Sequence, residues 1–176
     1  MCRLMTGDRT TGQVGHALFR DIADLLHPGD CLVLNDTKVI PARIFGTSAG
    51  HTGAVETVLL RRAEGEGELW ECLTRPGKKT RPGAVVAYPG GVTGHVTGVL
   101  EGGVRLIRFN YKGNFMEKLD EIGIMPLPPY ITTRLEDNSS YQTVYARNPG
   151  SAAAPTAGLH FTPELLKKLE NQGVSI

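Results

Sequence analysis

One histidine, His160, stands inside Gly150-Ser-Ala-Ala-Ala-Pro-Thr-Ala-Gly-Leu-His160-Phe-Thr162, a run of small residues that ends where a helix begins. An imidazole titrates near neutrality, so a histidine in such a setting is a candidate proton-transfer group. Glycine and other small residues let a backbone close on a ligand, which makes Thr156 and Gly158 candidate substrate contacts. The same features also describe a hydrogen-bonded structural histidine in an Ala/Gly-rich turn, and the residues alone leave both readings open. Thr162-Pro163-Glu164 reads as a helix start, with Thr as N-cap and Pro at the first helical position. Its free N–H groups suit an anionic group such as a carboxylate. His16, His27, His51 and His95 fall in turns or exposed β segments and read as incidental.

Polar and cationic residues gather at four further places. Asn35-Asp36-Thr37 follows the apolar run Cys31–Leu34, and ligands of α/β sheets collect beyond the carboxyl ends of strands. Asn, Asp and Thr are equally at home in plain turns. Lys38 and Arg43 add cations; Arg43 is suited either to a substrate carboxylate or phosphate, or to an ion pair with Asp36. Tyr130, Tyr141 and Tyr145 offer rings for stacking or loop anchoring, and Gln142, beside Thr143, can read a base edge. Arg75, Lys78, Lys79 and Arg81 crowd four cations into one turn-rich stretch, either a phosphate-tracking loop or a solvated charge run. Arg61 and Arg62 extend that candidate patch.

The elements that must position these residues change character along the chain. Leu18, Phe19, Ile22, Ala23, Leu25 and Leu26 recur at helical spacing, which predicts a helix over 17–26 closed by His27-Pro-Gly-Asp30. Cys31–Leu34 reads as a short strand buried on both faces, with Cys31 a small core residue. Residues 42–110 alternate short β segments (Ala54–Leu60, Glu68–Thr74, Ala84–Tyr88, Val92–Leu100, Val104–Phe109) with Gly-rich turns, the signature of a small antiparallel barrel or sandwich. Phe115, Leu119 and Ile122 then share a helical face that Gly123 closes. Residues 123–158 are aperiodic and carry five prolines, and so long a loop in a compact domain is usually functional. The architecture read from this order is α/β with an inserted small antiparallel β-barrel. Residues 1–43 and 112–176 form a discontinuous α/β domain, and residues 44–111 form the barrel.

Composition narrows the function classes. With 40% hydrophobic and 21% charged residues the chain reads as an ordinary globular protein. A net charge of +1 does not announce a nucleic-acid partner, so any RNA surface must be a local patch. Cys2, Cys31 and Cys72 lie far apart with no CxxC pair or Cys/His cluster, so no metal is expected. No apolar run reaches membrane-spanning length, which points away from a membrane and to the cytoplasm.

Three blocks, Asn35–Arg43, Met125–Ile131 with Tyr141–Tyr145, and Gly150–Thr162, occur in an order that closely resembles the S-adenosylmethionine:tRNA ribosyltransferase-isomerases of queuosine biosynthesis. The resemblance runs from about Arg3 to Ile176 and implies the same barrel-in-α/β layout. It further implies a cytoplasmic, monomeric complete enzyme with S-adenosylmethionine as co-substrate. The acceptor would be 7-aminomethyl-7-deazaguanine at the wobble position of tRNAs with a GUN anticodon, and the product epoxyqueuosine. In the chemistry associated with the family, a base removes a proton beside the sulfonium, adenine leaves, the aminomethyl group attacks the former C1′, and epoxide closure expels methionine. The matching candidates are His160 for the base, Tyr141 and Gln142 for adenine, Arg43 for the methionine carboxylate, and the 75–81 loop for tRNA. Ser140 stands where the family often has Arg, which leaves a cation role there unsupported. Nothing resembles a Gly-x-Gly methyltransferase unit, so the S-adenosylmethionine assignment rests on the resemblance. Family members are longer. Arg3–Met5 reads as the interior of an N-terminal region, and Val174-Ser175-Ile176, after the expected stop at Gly173, reads as the start of a strand, both as expected of a fragment. A non-catalytic RNA-binding fragment and a non-functional remnant of the same family are the alternatives.

Overall fold

The computed structural model describes residues 2–126 and 141–176. Its described residues divide into two compact units. One comprises the described parts of Met1–Asp36, Tyr141–Arg147 and Pro155–Ile176; the other comprises those of Thr37–Ser140 and Asn148–Ala154. The chain therefore passes between units at Asp36–Thr37, inside the first sequence block, and at Ala154–Pro155, inside the third.

The second unit is built on a closed, wholly antiparallel barrel of six strands. They are β4 (Arg43–Ser48), β5 (Ala54–Arg62), β6 (Glu68–Arg75), β7 (Val85–Ala87), β8 (Thr93–Val99) and β9 (Arg105–Asn110). They are arranged in the order β4-β5-β6-β9-β8-β7, with β7 returning to β4. Alternation along each strand makes the core: Ile44, Val55, Leu59, Trp70, Cys72, Val86, Val96, Ile107 and Phe109 point inward and are buried. Each such aliphatic or aromatic side chain contributes about 1.5–3 kcal/mol through apolar burial. Thr57 is fully buried too, and its hydroxyl is satisfied by Tyr88 Oη at 2.8 Å. Helix α1 (Phe115–Ile122) adds Phe115 and Leu119 to the same core. Asn114 caps it, its Oδ1 accepting from the Met116 and Glu117 amides, and the Gly123 N–H ends it on the Leu119 carbonyl at 2.8 Å. Beside the barrel, β3 (Thr37–Val39) and β10 (Asn148–Ser151) form a parallel pair, Thr37 opposite Asn148 and Lys38 opposite Pro149. The five expected strands and the flanking helix are thus present, within a residue or two of the spans read from the sequence; β4, which pairs with β5 and β7 to close the barrel, is not among those spans.

The first unit is made of shorter pieces. β1 (Arg3–Gly7) and β2 (Val14–Leu18) form a hairpin, and a 3₁₀ turn over Phe19–Asp24 follows. The helix expected over 17–26 is therefore shorter and tighter: Leu18 belongs to β2, and the Asp21 carboxylate takes the Leu18 amide at 2.9 Å to start the turn. The expected buried strand Cys31–Leu34 is also corrected. Among the described residues only a parallel bridge from Cys31 to Ser175 pairs it, Cys31 is exposed, and Val33 is 87% exposed. A continuous apolar run is buried on both faces only within a sheet that other layers cover on both sides, and among the described residues this run joins no sheet beyond one bridge. Helix α2 (Pro163–Asn171) starts as expected, with Thr162 Oγ1 accepting the Leu165 amide at 3.2 Å. Leu165 and Leu169 pack with Ala23, Phe161 and Val174 as this unit's core. Among the described residues no helix is long and apolar enough to cross a membrane, and no group of His, Cys, Asp and Glu is arranged to hold a metal ion.

Candidate functional site

In the first unit the second and third sequence blocks meet. Thr156–His160 forms a single 3₁₀ turn after Pro155, closed by the Gly158 amide on the Pro155 carbonyl at 2.7 Å. Gly158 is buried against Tyr141–Arg147: a Cβ built there would collide with the Tyr145 hydroxyl and come within 2.9 Å of Thr143 Cγ2. Only a residue without a side chain allows this approach. Thr143 is 5% exposed and its Oγ1 lies outside hydrogen-bonding geometry among the described residues, although it stands beside the Tyr145 phenol. Burial raises the pKa of that phenol, and the Thr143 hydroxyl partly offsets the rise. Asp36 joins the group through its carbonyl, which accepts the Arg147 amide at 2.8 Å.

His160 ends the 3₁₀ turn with its side chain exposed, its ring 5.2 Å from that of Phe19. Phe19 in turn stacks edge-on against the buried Phe161, so the imidazole is flanked on one side by a fixed aromatic wall. Thr156 and Asn35 are exposed; Gln142 is half-buried; Tyr141 is buried, at 5% exposure. Tyr130 lies outside the described residues.

The other candidates belong to the second unit. Thr37 and Lys38 lie on β3 beside β10, the strand that carries Gly150. Arg43 opens β4, its backbone bridged to Ile124, and its Nε lies 3.2 Å from Glu56 Oε1. The N–H does not point at that oxygen, so the contact is an ion pair without a hydrogen bond.

The basic loop separates into two kinds of cation. Lys79 is committed inward: its Nζ donates to the carbonyls of Thr52 and, at 3.0 Å, Gly53, while its own carbonyl takes the Ser48 hydroxyl at 2.9 Å. Arg75, Lys78 and Arg81 are exposed and have no ion pair among the described residues. The loop is fixed by a residue that sequence reasoning missed. Arg105 donates from Nε to the Thr80 carbonyl at 2.7 Å, from Nη2 to Gly77 at 3.2 Å, and from Nη1 to Gly103. Phe19 was missed likewise. Neither carries a local signal, because each acts on residues remote in sequence. Arg61 and Arg62 are each held by a carboxylate, Glu71 at 2.8 Å and Glu68 at 3.2 Å.

The chain matches the queuosine biosynthesis protein family over residues 1–176. It is 54% identical over 177 aligned positions to the S-adenosylmethionine:tRNA ribosyltransferase-isomerase of Acetivibrio thermocellus, covering 100% of this chain and 51% of that protein. It is 50% identical to the enzyme of that name from Desulfitobacterium hafniense and 51% to that from Clostridioides difficile, covering 99% of this chain and 51% of each relative. A crystal structure of S-adenosylmethionine tRNA ribosyltransferase from Thermotoga maritima is 33% identical, with 99% of this chain and 48% of that one covered and a TM-score of 0.43. The chain spans about half the length of the curated relatives it matches. It belongs to the queuosine biosynthesis protein family.

Proposed function

We propose that this chain carries part of the machinery that transfers and isomerises the ribosyl moiety of S-adenosylmethionine onto 7-aminomethyl-7-deazaguanine in tRNA, giving epoxyqueuosine at the wobble position of tRNAs with a GUN anticodon, in the cytoplasm. The observation that supports this most is the unbroken family match from residue 1 to 176, with relatives that bear the ribosyltransferase-isomerase name at 50–54% identity. In this reading S-adenosylmethionine is consumed as co-substrate, and no metal takes part.

His160 is the proton acceptor beside the sulfonium. Its exposed imidazole against Phe19 has one face packed and the rest open to a ligand, a setting that fits the role. Loss of that proton lets adenine leave from C1′, with the half-buried Gln142 beside the base and the buried Tyr141 and Thr143 shaping its loop. Asn35, Asp36 and Thr156 are the further substrate contacts proposed in this unit; Thr37, Lys38 and Arg43, the last already paired with Glu56, are those proposed in the barrel unit. The aminomethyl nitrogen and the deprotonated carbon beside the sulfonium bond to C1′ as its bonds to adenine and to the ring oxygen are lost, and that oxygen, left as an alkoxide, closes the epoxide with the thioether of methionine as leaving group. Arg75, Lys78 and Arg81 meet tRNA phosphates, with Lys79 holding their loop in place.

The test is His160→Gln in this chain extended after Ile176 by the remaining half of the Acetivibrio thermocellus relative. General acid–base groups contribute roughly 100- to 10,000-fold, so turnover falls by that factor while tRNA and S-adenosylmethionine affinities hold. The pH–rate profile also loses an ionisation near neutrality. A lower melting temperature together with weaker S-adenosylmethionine binding would make His160 structural, and near-normal turnover would remove it from the site.

A further inference from the structure

The rim of the barrel that α1 covers holds a cavity of about 520 Å³, lined by Arg62, Glu68, Trp70, Tyr111, Phe115 and Gly150 among others. Its chemistry is set by one β-bulge. β5 pairs with β6 as Leu59 opposite Cys72, both inside the barrel, but then as Arg61 opposite Glu71 and Arg62 opposite Trp70. The extra residue turns Arg62 toward the side that bears Trp70 and Glu68, and sends Arg61 outward to Glu71. Bulges that re-aim a side chain recur at barrel rims and beside binding sites.

Glu68 organises the cavity. Its side chain is 13% exposed and both oxygens are used. Oε1 accepts the Trp70 indole N–H at 2.8 Å; Oε2 accepts Arg62 Nη2 at 3.2 Å and the Tyr111 hydroxyl at 3.3 Å. Burial and the nearby Glu68 charge raise the Tyr111 pKa, so the phenol stays a donor. A carboxylate so engaged is no base; it fixes the direction of the arginine. What faces the cavity is then the Arg62 guanidinium, 64% exposed, the half-buried Tyr111 ring, and Gly150. At φ 142 Gly150 adopts a conformation other residues rarely reach, and its Cα looks onto open space. A guanidinium held from behind grips phosphate with its free edge, and a tyrosine ring beside it takes a base of any sequence.

We propose that this rim cavity holds one unpaired nucleotide of RNA, its phosphate on Arg62 and its base against Tyr111. The proposal rests on the RNA-binding part of the function above. Glu68 and Arg75 stand at opposite ends of β6, about 23 Å apart at strand rise, so an RNA reaching both contacts runs along the barrel.

Trp70, the only tryptophan in the chain, reports on the cavity directly. Titrating the 176-residue chain with an unmodified anticodon stem-loop RNA should change Trp70 emission to saturation. Tyr111→Ala should weaken binding roughly 5- to 150-fold and Tyr111→Phe little, as base stacking predicts. Arg62→Lys keeps the pair with Glu68 but loses the fork; it should weaken binding with an unchanged thermal melt. Stem-loop binding with no change in Trp70 emission and full affinity in Tyr111→Ala overturns the cavity assignment and leaves the functional reading standing. A Trp70 response to S-adenosylmethionine but not to RNA overturns it in favour of a small-molecule site. Absence of any stem-loop binding overturns both.

Discussion

The barrel unit and the unit bearing His160 are stabilised in opposite ways. Among the described residues, fifteen buried residues form one continuous core through the barrel and α1, whereas five form that of the other unit. The barrel's strands also close on themselves and leave no edge. Among its described residues the first unit relies instead on a hairpin, short 3₁₀ turns, one short helix and close contacts such as Gly158 against Tyr145. One unit is a rigid carrier whose cations are set on its surface. In the other, motif residues such as Phe161 and Gly158 take part in a smaller core. Mutation there disturbs fold and site together, which is why separating chemistry from structure at His160 needs binding and melting measurements beside rates.

The sharpest contrast comes from one core truncation in each unit. Phe109→Ala, in the barrel core, should cost about 3–5 kcal/mol, and denaturant unfolding followed by Trp70 emission should register all of it. Leu169→Ala should cost about 2–5 kcal/mol but act on the first unit, lowering far-ultraviolet circular dichroism stability while leaving the Trp70 transition in place. A shift of the Trp70 transition in Leu169→Ala would show the two units to be one cooperative block.

A smaller effect is expected at Gly158. Gly158→Ala forces a methyl into the Tyr145 hydroxyl and should destabilise by about 1–3 kcal/mol, as overpacking does. Adding Tyr145→Phe removes the atom in closest conflict and should recover part of the loss. An unaltered melting temperature in Gly158→Ala would show that the two blocks do not pack as described.

Alkaline pH should weaken the barrel unit from a lower onset, because its buried thiol titrates below the phenols of either unit in the unfolded chain. Burial raises the Cys72 pKa, with Glu71 adding to it, and burial raises that of Tyr88 against the opposing Thr57 bond. Both are acids whose folded forms hold their protons longer than the unfolded chain does. Above about pH 8.5 for the thiol and about 10 for the phenol, unfolding therefore releases protons and stability falls as pH rises. The slope is at most about 1.4 kcal/mol per pH unit for each group. Cys72→Ala should delay the onset in the Trp70-monitored transition; an unchanged profile would deny the thiol's burial. The smallest effect belongs to the loop: replacing Lys78 by Ala should reduce the salt slope of tRNA binding by about one, and replacing Lys79 should instead lower stability.

The barrel was legible because alternation over Ala54–Leu60, Glu68–Thr74 and Val104–Phe109 is a local signal, and two helix ends because Gly123 and Thr162 are local stop and start signals. Cys31–Leu34 misled because an apolar run does not say whether strands flank it. The motif blocks were legible as text, yet their geometry was not. That Gly158 meets Tyr145, that Phe19 walls His160, and that Arg105 pins carbonyls 25 and 28 residues away are properties of long-range packing. The bulge that turns Arg62 inward is likewise invisible until β5 is paired with β6.

The most direct test of the central claim is mass spectrometry of tRNA after incubation with S-adenosylmethionine. The protein is this chain extended by the remaining half of the Acetivibrio thermocellus relative, and the tRNA carries 7-aminomethyl-7-deazaguanine. Epoxyqueuosine should form at the wobble position, with adenine and methionine released in equal amounts, and none of the three should appear without the modified base. A folded, tRNA-binding protein that leaves the base unchanged and S-adenosylmethionine intact would contradict the assignment.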